Sequence, residues 1–393
     1  MTIIIFIIIL LVLVLIHEAG HFFAAKLSGV RVDEFAFGFP PKLYSIKKGE
    51  TNYVFNALPL GGYVKIFGEN GDKNSNDLNK KELKDETNFV NKNPFIKIFI
   101  LAAGVIMNFV LAYLLITASF YIGTTFQIDR NSSEYKKFSS EGRIRSEYIV
   151  ISQVVNNSPA KNAGLTPGLK IEKIYLNQER SVGKVASKQS VDLRKNGDEV
   201  AQNISEKLNS GDADSITITY LNKKGVEETT TISGVYGLDG NKEKRLTGLS
   251  FTKFAIVNLS IPETITTGYK NTMMITKGTL VGFKDLFLNL FKKGEISSEI
   301  SGPVGIFNMV AQASQFGFSY VLLFAAILSI SLAIFNILPF PALDGGRILF
   351  VIIESITHKK ISEKWQTILN GIGFIILILL MIVVSVRDIM KFF

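Results

Sequence analysis

Of the three histidines in the chain, two stand four residues apart. They bracket His17-Glu18-Ala19-Gly20-His21, an H-E-x-x-H pattern. On a helix of ~3.6 residues per turn, positions four apart share a face. His17 and His21 can then aim one imidazole nitrogen each at a single metal ion. Glu18, beside His17, can reach a water on that ion from the side. Zinc lowers the pKa of such a water to about 7, and a carboxylate can take its proton as general base. The chemistry this constellation suits is hydrolysis. There is no cysteine, so any zinc site must be completed by His, Asp or Glu.

A five-residue pattern arises by chance, and its setting is what sharpens it. Thr2 to Ile16 is an unbroken apolar run, and the apolar character resumes after His21. An ionisable side chain inside such a span costs about 2.5–3.5 kcal/mol on insertion scales. Three within one turn require a metal or a water-filled cavity, unless the segment ends near Ile16 and they face the interface. A signal peptide fits less well. The run is long for one, lacks a basic start, and puts its ionisable residues where cleavage would fall.

A third ligand is offered far downstream, in Asn336-Ile-Leu-Pro339-Phe-Pro341-Ala-Leu-Asp344-Gly345-Gly346-Arg347. Asp344 sits just past an apolar run that ends at paired prolines, which break a helix. The two glycines let backbone approach closely. Asn336, a lone amide at the foot of the same run, can hold a substrate carbonyl or a developing oxyanion. Read locally, Asp-Gly-Gly is equally an ordinary turn.

The elements that must position these residues are apolar segments. The chain has 393 residues, 47% of them hydrophobic, and a net charge of +9. That composition suits a chain shared between bilayer and water. The basic balance fits an anionic membrane surface, and no basic stripe interleaved with aromatics points to nucleic acid. Further spans are expected at Pro94–Ile122, Phe318–Leu338 and Trp365–Val386, each about long enough to cross the ~30 Å hydrocarbon core. The second half of the intervening polar stretch, Glu69 to Asn93, reads as a solvated surface segment. Residues 123–256 read as a separate soluble domain rich in strands. Alternation marks Ser215–Tyr220, a turn is expected at Asn222–Gly225, and a second strand at Val226–Ile232. Pro262 to Phe291 is apolar but carries three lysines, as an amphipathic helix lying on the membrane would. Ser301–Gly317 reads as interfacial or re-entrant. His358 reads as an ordinary loop histidine.

Counting passes tests the proposed ligand set. His17 lies roughly 24 Å along the first span at ~1.5 Å per residue, near its far end. Span two returns and span three enters again, so its far end, with Asn336 and Asp344, reaches the same depth. With the N-terminus taken as outside, that depth is the inside, and the basic residues of the segments there, mixed with Asp and Glu, fit the positive-inside tendency.

These residues resemble the site-2 protease family (M50), in particular its bacterial RseP-like branch. HEAGH at His17–His21 and NILPFPALDGG at Asn336–Gly346 carry most of the likeness. Leu58–Gly68 resembles that branch's membrane-associated β-hairpin loop, Gly104–Phe109 its Gly-x-x-x-Asn pattern in span two, and Ser301–Ile306 the segment before span three. Asn157–Gly168 resembles the strand-to-helix region of a single PDZ domain, with Leu169 where an Asp usually stands. Thr247–Phe251 is the candidate edge of its groove.

The resemblance implies a multi-span α-helical membrane protein of about four transmembrane helices, with a β-hairpin region and an inserted α+β PDZ-like domain. The division would be 1–122 and 318–393 as membrane core, 123–256 as the extracytoplasmic domain and 257–317 as an amphipathic segment. The location would be the bacterial inner membrane, N-terminus outside. One zinc ion would be bound by His17, His21 and Asp344, with Glu18 activating water and Asn336 assisting substrate. Asn108 would be a weaker candidate, structural in helix packing. Substrates would be single-span membrane proteins, such as trimmed anti-sigma factors or remnant signal peptides. Asn52–Gly68 would offer a strand edge to an unwound substrate, and the PDZ-like domain would bind a peptide C-terminus or filter by size. A metal transporter would show several polar residues along its spans, and spans two and four show few. A catalytically silent scaffold would have lost Glu18 or a ligand.

Overall fold

The computed structural model describes residues 2–69, 85–123, 125–127, 133–155, 157–178, 187–193, 197–210, 213–222, 226–236, 245–257, 259–293, 302–359 and 361–392. Most of the expected solvated segment, residues 223–225 of the expected turn, and Ser301 lie outside these. In chain order the elements begin with α1 (Thr2–Leu27), β1 (Val32–Lys48), β2 (Thr51–Ile66), α2 (Pro94–Ile122), β3 (Thr125–Gln127), α3 (Ser133–Ser140), β4 (Ile144–Val154) and α4 (Pro159–Asn162). Then come β5 (Lys170–Gln178), β6 (Ser187–Ser190), α5 (Gly197–Ser210), β7 (Ser215–Leu221), β8 (Glu227–Ser233), β9 (Val235–Tyr236), β10 (Arg245–Leu246) and β11 (Leu249–Val257). The chain finishes with α6 (Ile261–Lys293), α7 (Pro303–Gln315), α8 (Phe318–Ile337), α9 (Asp344–Thr357) and α10 (Glu363–Phe392). Two compact units result: Met1–Ala118 with Ile265–Ala311 and Leu322–Phe393, and Ser119–Thr264 with Gln312–Val321.

In the first unit, four helices among the described residues are long and apolar enough to cross a membrane: α1, α2, α8 and Lys364–Met390 of α10. Where α1 crosses α2 the backbones touch. A Cβ on Gly20 would stand 2.4 Å from the Ala103 carbonyl oxygen, the close approach that small residues give membrane helices. Ser329 of α8 donates to the Asn108 carbonyl of α2 at 2.8 Å. Isoleucine, leucine and phenylalanine side chains of α10, among them Ile372, Phe374, Ile375 and Leu379, stay exposed, which suits lipid contact.

The helix expected to lie flat on the membrane, α6, instead runs alongside the spans. Gly268 packs so tightly on Thr117 of α2 that a Cβ would meet its Oγ1 at 2.2 Å. Phe283 reaches Phe335 of α8, ring centroids 6.4 Å apart. Thr117 lies beyond Asn108 on α2, and Phe335 beyond Ser329 on α8, in an antiparallel pair. The two contacts are therefore at opposite ends, ~22 Å apart along α6. Its inward face is small and polar. Thr272 and Thr276 return their hydroxyls to the carbonyls four residues back, at 2.8 and 2.7 Å, so neither hydroxyl is left without a partner. The segment left as interfacial or re-entrant is the helix α7. Asp388 of α10 caps it, accepting from the Gly302 and Gly305 amides at 2.7 and 2.9 Å.

The hairpin β1–β2 bends back on itself, so residues 62–66, 32–37, 52–56 and 42–48 lie side by side in that order. Gly38, at φ +77°, permits the bend, since a Cβ there would meet the Leu58 carbonyl oxygen at 2.6 Å. This corrects the expected strand edge. Residues 52–55 are paired on both sides; within 52–68 the outer edge is 62–66, with Gly62 near Leu15 of α1, and the opposite edge of the sheet is 42–48. Phe39, Leu43, Tyr44 and Leu58 are exposed apolar side chains at the other end.

The second unit is built on an antiparallel sheet in the order β3-β11-β4-β5-β7-β8, with β6 beside β5. Ile149, Ile151, Ile174, Ile216 and Ile218 meet Val200, Ile204 and Leu208 of α5 in its core. Leu169 joins that core, which accounts for an apolar residue there. Among the described residues β3 pairs with 254–256 of β11, and the start of β11 pairs with β4. A cavity of about 190 Å³ lies there, lined by Ile204, Leu208, Thr247, Gly248 and Leu249 among others.

Candidate metal centre

Helix α1 carries the two histidines one turn apart on a buried face, each 7% exposed. Their Nε2 atoms are 3.2 Å apart. Asp344 opens α9, and its Oδ2 lies 3.0 Å from His17 Nε2 and 3.3 Å from His21 Nε2. Ligands at ~2.0–2.1 Å from a tetrahedral zinc stand about 3.3 Å from one another, so the triangle has the right size. Its atoms also point the right way. Despite its neighbours, the buried Oδ2 accepts no hydrogen bond, as expected where lone pairs converge on a point between the groups. His21 Nδ1 donates to the Ile100 carbonyl at 2.9 Å. That fixes the tautomer and leaves Nε2 free to ligate. Two imidazoles and a carboxylate form a donor set suited to zinc with an open fourth position.

Glycines make the convergence sterically allowed. Gly104 of α2 faces both imidazoles, and a Cβ there would stand 2.5 Å from His21 Nε2 and 2.7 Å from His17 Cε1. On the other side, a Cβ on Gly345 would meet the Ile337 carbonyl oxygen at 2.2 Å, and one on Gly346 would meet that of Phe340 at 2.2 Å. The Asp-Gly-Gly stretch is thus the start of a helix folded tightly onto the end of α8. Asn370 of α10 accepts from the Ala342 amide at 3.1 Å and steadies the turn between. Ile348 and Val351 anchor α9 in a cluster with Ala24, Ala25, Ile100 and Leu101.

Glu18 is half-buried and within electrostatic range of His21, His17 and Asp344. Asn336 lies in the last turn of α8, half-buried, with no hydrogen bond to another described side chain. His358 ends α9, exposed, in the left-handed conformation. Sequence reasoning undervalued Asn108. It is fully buried, and its amide lies 3.2 Å from His17 Nδ1. The available signal was its spacing of four from Gly104, which puts both on the face of α2 that meets α1.

The sequence profile of peptidase family M50 matches residues 5–380. A protein of Clostridium perfringens (strain 13 / Type A), named as a candidate zinc metalloprotease, is 32% identical over 386 residues, covering 96% of this chain and 95% of its own. Another so named, from Fusobacterium nucleatum subsp. nucleatum, is 30% identical over 395 residues and covers 100% of both chains. One from Staphylococcus aureus (strain COL) is 27% identical, covering 100% of this chain and 99% of its own. With the zinc-sized His-His-Asp cluster in place, this chain belongs over nearly its whole length to peptidase family M50, the site-2 proteases, as a zinc metalloendopeptidase.

Proposed function

We propose that this protein cleaves single-span membrane proteins in or next to their transmembrane segments. The observation that carries the reading is the buried convergence of His17, His21 and Asp344, its two histidines and Glu18 carried by a helix apolar enough to span a bilayer. In this reading those three residues hold zinc. When bound, zinc supplies a Lewis acid that makes water nucleophilic near neutral pH. Glu18 takes the proton of the attacking water and passes it to the leaving amine. Asn336 holds the substrate carbonyl or the oxyanion that develops from it. Because a helical peptide bond is shielded, substrate must first be unwound. The edge at residues 62–66, beside α1, offers backbone partners to the extended form.

The second unit is read as PDZ-like. The start of β11, paired among the described residues with β4, and the adjoining cavity would give room for a peptide C-terminus such as a prior cleavage would expose. The proposed orientation puts this unit and the N-terminus outside the bacterial inner membrane and the metal near the cytoplasmic side, as in the RseP-like branch. Trimmed anti-sigma factors and remnant signal peptides are then the substrates.

The test is cleavage of a tagged single-span substrate in membranes. The native chain should yield a fragment. Glu18→Gln should reduce the rate by about 10²–10⁴-fold, the usual contribution of a general base, while retaining zinc. A chelator should abolish cleavage. Equal product from all three would sink the reading.

A further inference from the structure

Asn108 is wholly buried in α2, and its backbone carbonyl accepts from the Ser329 hydroxyl at 2.8 Å. Its amide nitrogen lies 3.2 Å from His17 Nδ1, and its Oδ1 is buried without a partner. An amide N–H can only donate. With nitrogen toward the ring, Nδ1 must accept and Nε2 must carry the proton. A protonated Nε2 cannot ligate a metal, and Asp344 Oδ2, 3.0 Å away, accepts no hydrogen bond that would use that proton. Half a turn of the side-chain amide about its Cβ–Cγ bond resolves both difficulties. Oδ1 then accepts from His17 Nδ1–H, and Nε2 is left with its lone pair toward His21 Nε2 and Asp344.

We infer that Asn108 is a positioning residue for the metal centre, its side-chain oxygen fixing His17 in the ligating tautomer. The arrangement parallels the one around His21, where the Ile100 carbonyl of the same helix plays that part. Thus α2 supplies an acceptor for each histidine, and between them Gly104 leaves room for both rings. The expected role of Asn108 in helix packing is thereby replaced by a chemical one. The inference rests on reading His17, His21 and Asp344 as zinc ligands.

The test compares Asn108→Leu, which removes the acceptor, with Asn108→Asp, which keeps one. Asn108→Ala takes the place of the leucine variant should the bulkier side chain prevent folding. Zinc affinity is read by competition with a chelator, and ligand geometry by the visible spectrum after cobalt substitution. Loss of an outer hydrogen-bonding partner typically costs about 10–100-fold in metal affinity. The acceptor-free variant should show that loss and an altered cobalt spectrum at native helix content, and the aspartate variant should recover most of both. An acceptor-free variant with native affinity and spectrum overturns the inference. So does an aspartate variant no better than it. A native chain that binds no zinc overturns the ligand reading and this inference together, which distinguishes the two failures.

Discussion

The two halves of the metal centre are held by opposite means. The histidine half is a crossing of two long helices with glycines at the contact. Gly20 lets α1 touch the Ala103–Gly104 backbone, and Gly104 gives the imidazoles their space. The aspartate half is a short reversal of chain. Residues 338–343 turn back on the end of α8, Ala342 takes a φ of +75°, and Gly345 and Gly346 press α9 onto carbonyls of α8 and the turn. Helix crossings buried in lipid resist displacement because every backbone hydrogen bond is already internal. A turn depends on a few specific contacts. The histidines should therefore behave as a preformed pair, and Asp344 as the arm that completes it.

The largest expected effect is Gly104→Ala. The added methyl would stand 2.5 Å from His21 Nε2, so either the rings or α2 must move. Displacements near 1 Å at a reacting centre cost about 100-fold. Here two ligands move together, so zinc content of the purified protein and cleavage should both be lost. Gly278→Ala on α6, where nothing lies within 4 Å, should change neither. Retention of native zinc by Gly104→Ala would show that the crossing is not what sets the histidines.

Gly345→Ala should be less complete. Its methyl would strike carbonyls of Ile337 and Leu338 at 2.2 and 2.3 Å, lifting the start of α9 and Asp344 with it. Cleavage should fall about 100-fold, yet the histidine pair should still hold zinc weakly. Metal titration of both glycine variants side by side decides the matter. Equal loss of metal in the two would mean that the halves are not independent.

How much of this was legible in the sequence follows the same division. The spans were readable because a continuous apolar run of bilayer length has few other uses, and Pro94–Ile122 is the helix expected there. The metal-ligand candidates were readable because H-E-x-x-H fixes a spacing on one face and the count of passes brings Asp344 to the same depth. Less was readable where tertiary contact decides. The apolar residues and lysines of α6 suggested a surface helix, but its Gly268 and threonine face packs along the spans. The β-branched and aromatic residues of Asn52–Gly68 suggested an edge, but the bend at Gly38 puts 52–55 inside the sheet. Asn108 carried no local sign of its chemistry, since a lone amide in a span is an ordinary packing element until a histidine is found beside it.

The smallest expected effect also says most about the turn. Asn370 of α10 accepts from the Ala342 amide at 3.1 Å, and three residues later Gly373 lies close under Pro341, whose carbonyl a Cβ would meet at 2.4 Å. Asn370→Ala removes the first of these holds and leaves the second. Loss of one such hydrogen bond costs about 1 kcal/mol, or about fivefold in the share of molecules with Asp344 in place. The cleavage rate should fall by about that factor at low zinc. Binding of a ligand to the completed site pulls the equilibrium toward it, so added zinc should restore the rate. Gly104→Ala, whose rings cannot return, should gain nothing from the same addition. If Asn370→Ala were insensitive to zinc, the arm would be held by Gly373 and the paired prolines alone, and the aspartate half would be as preformed as the histidine half.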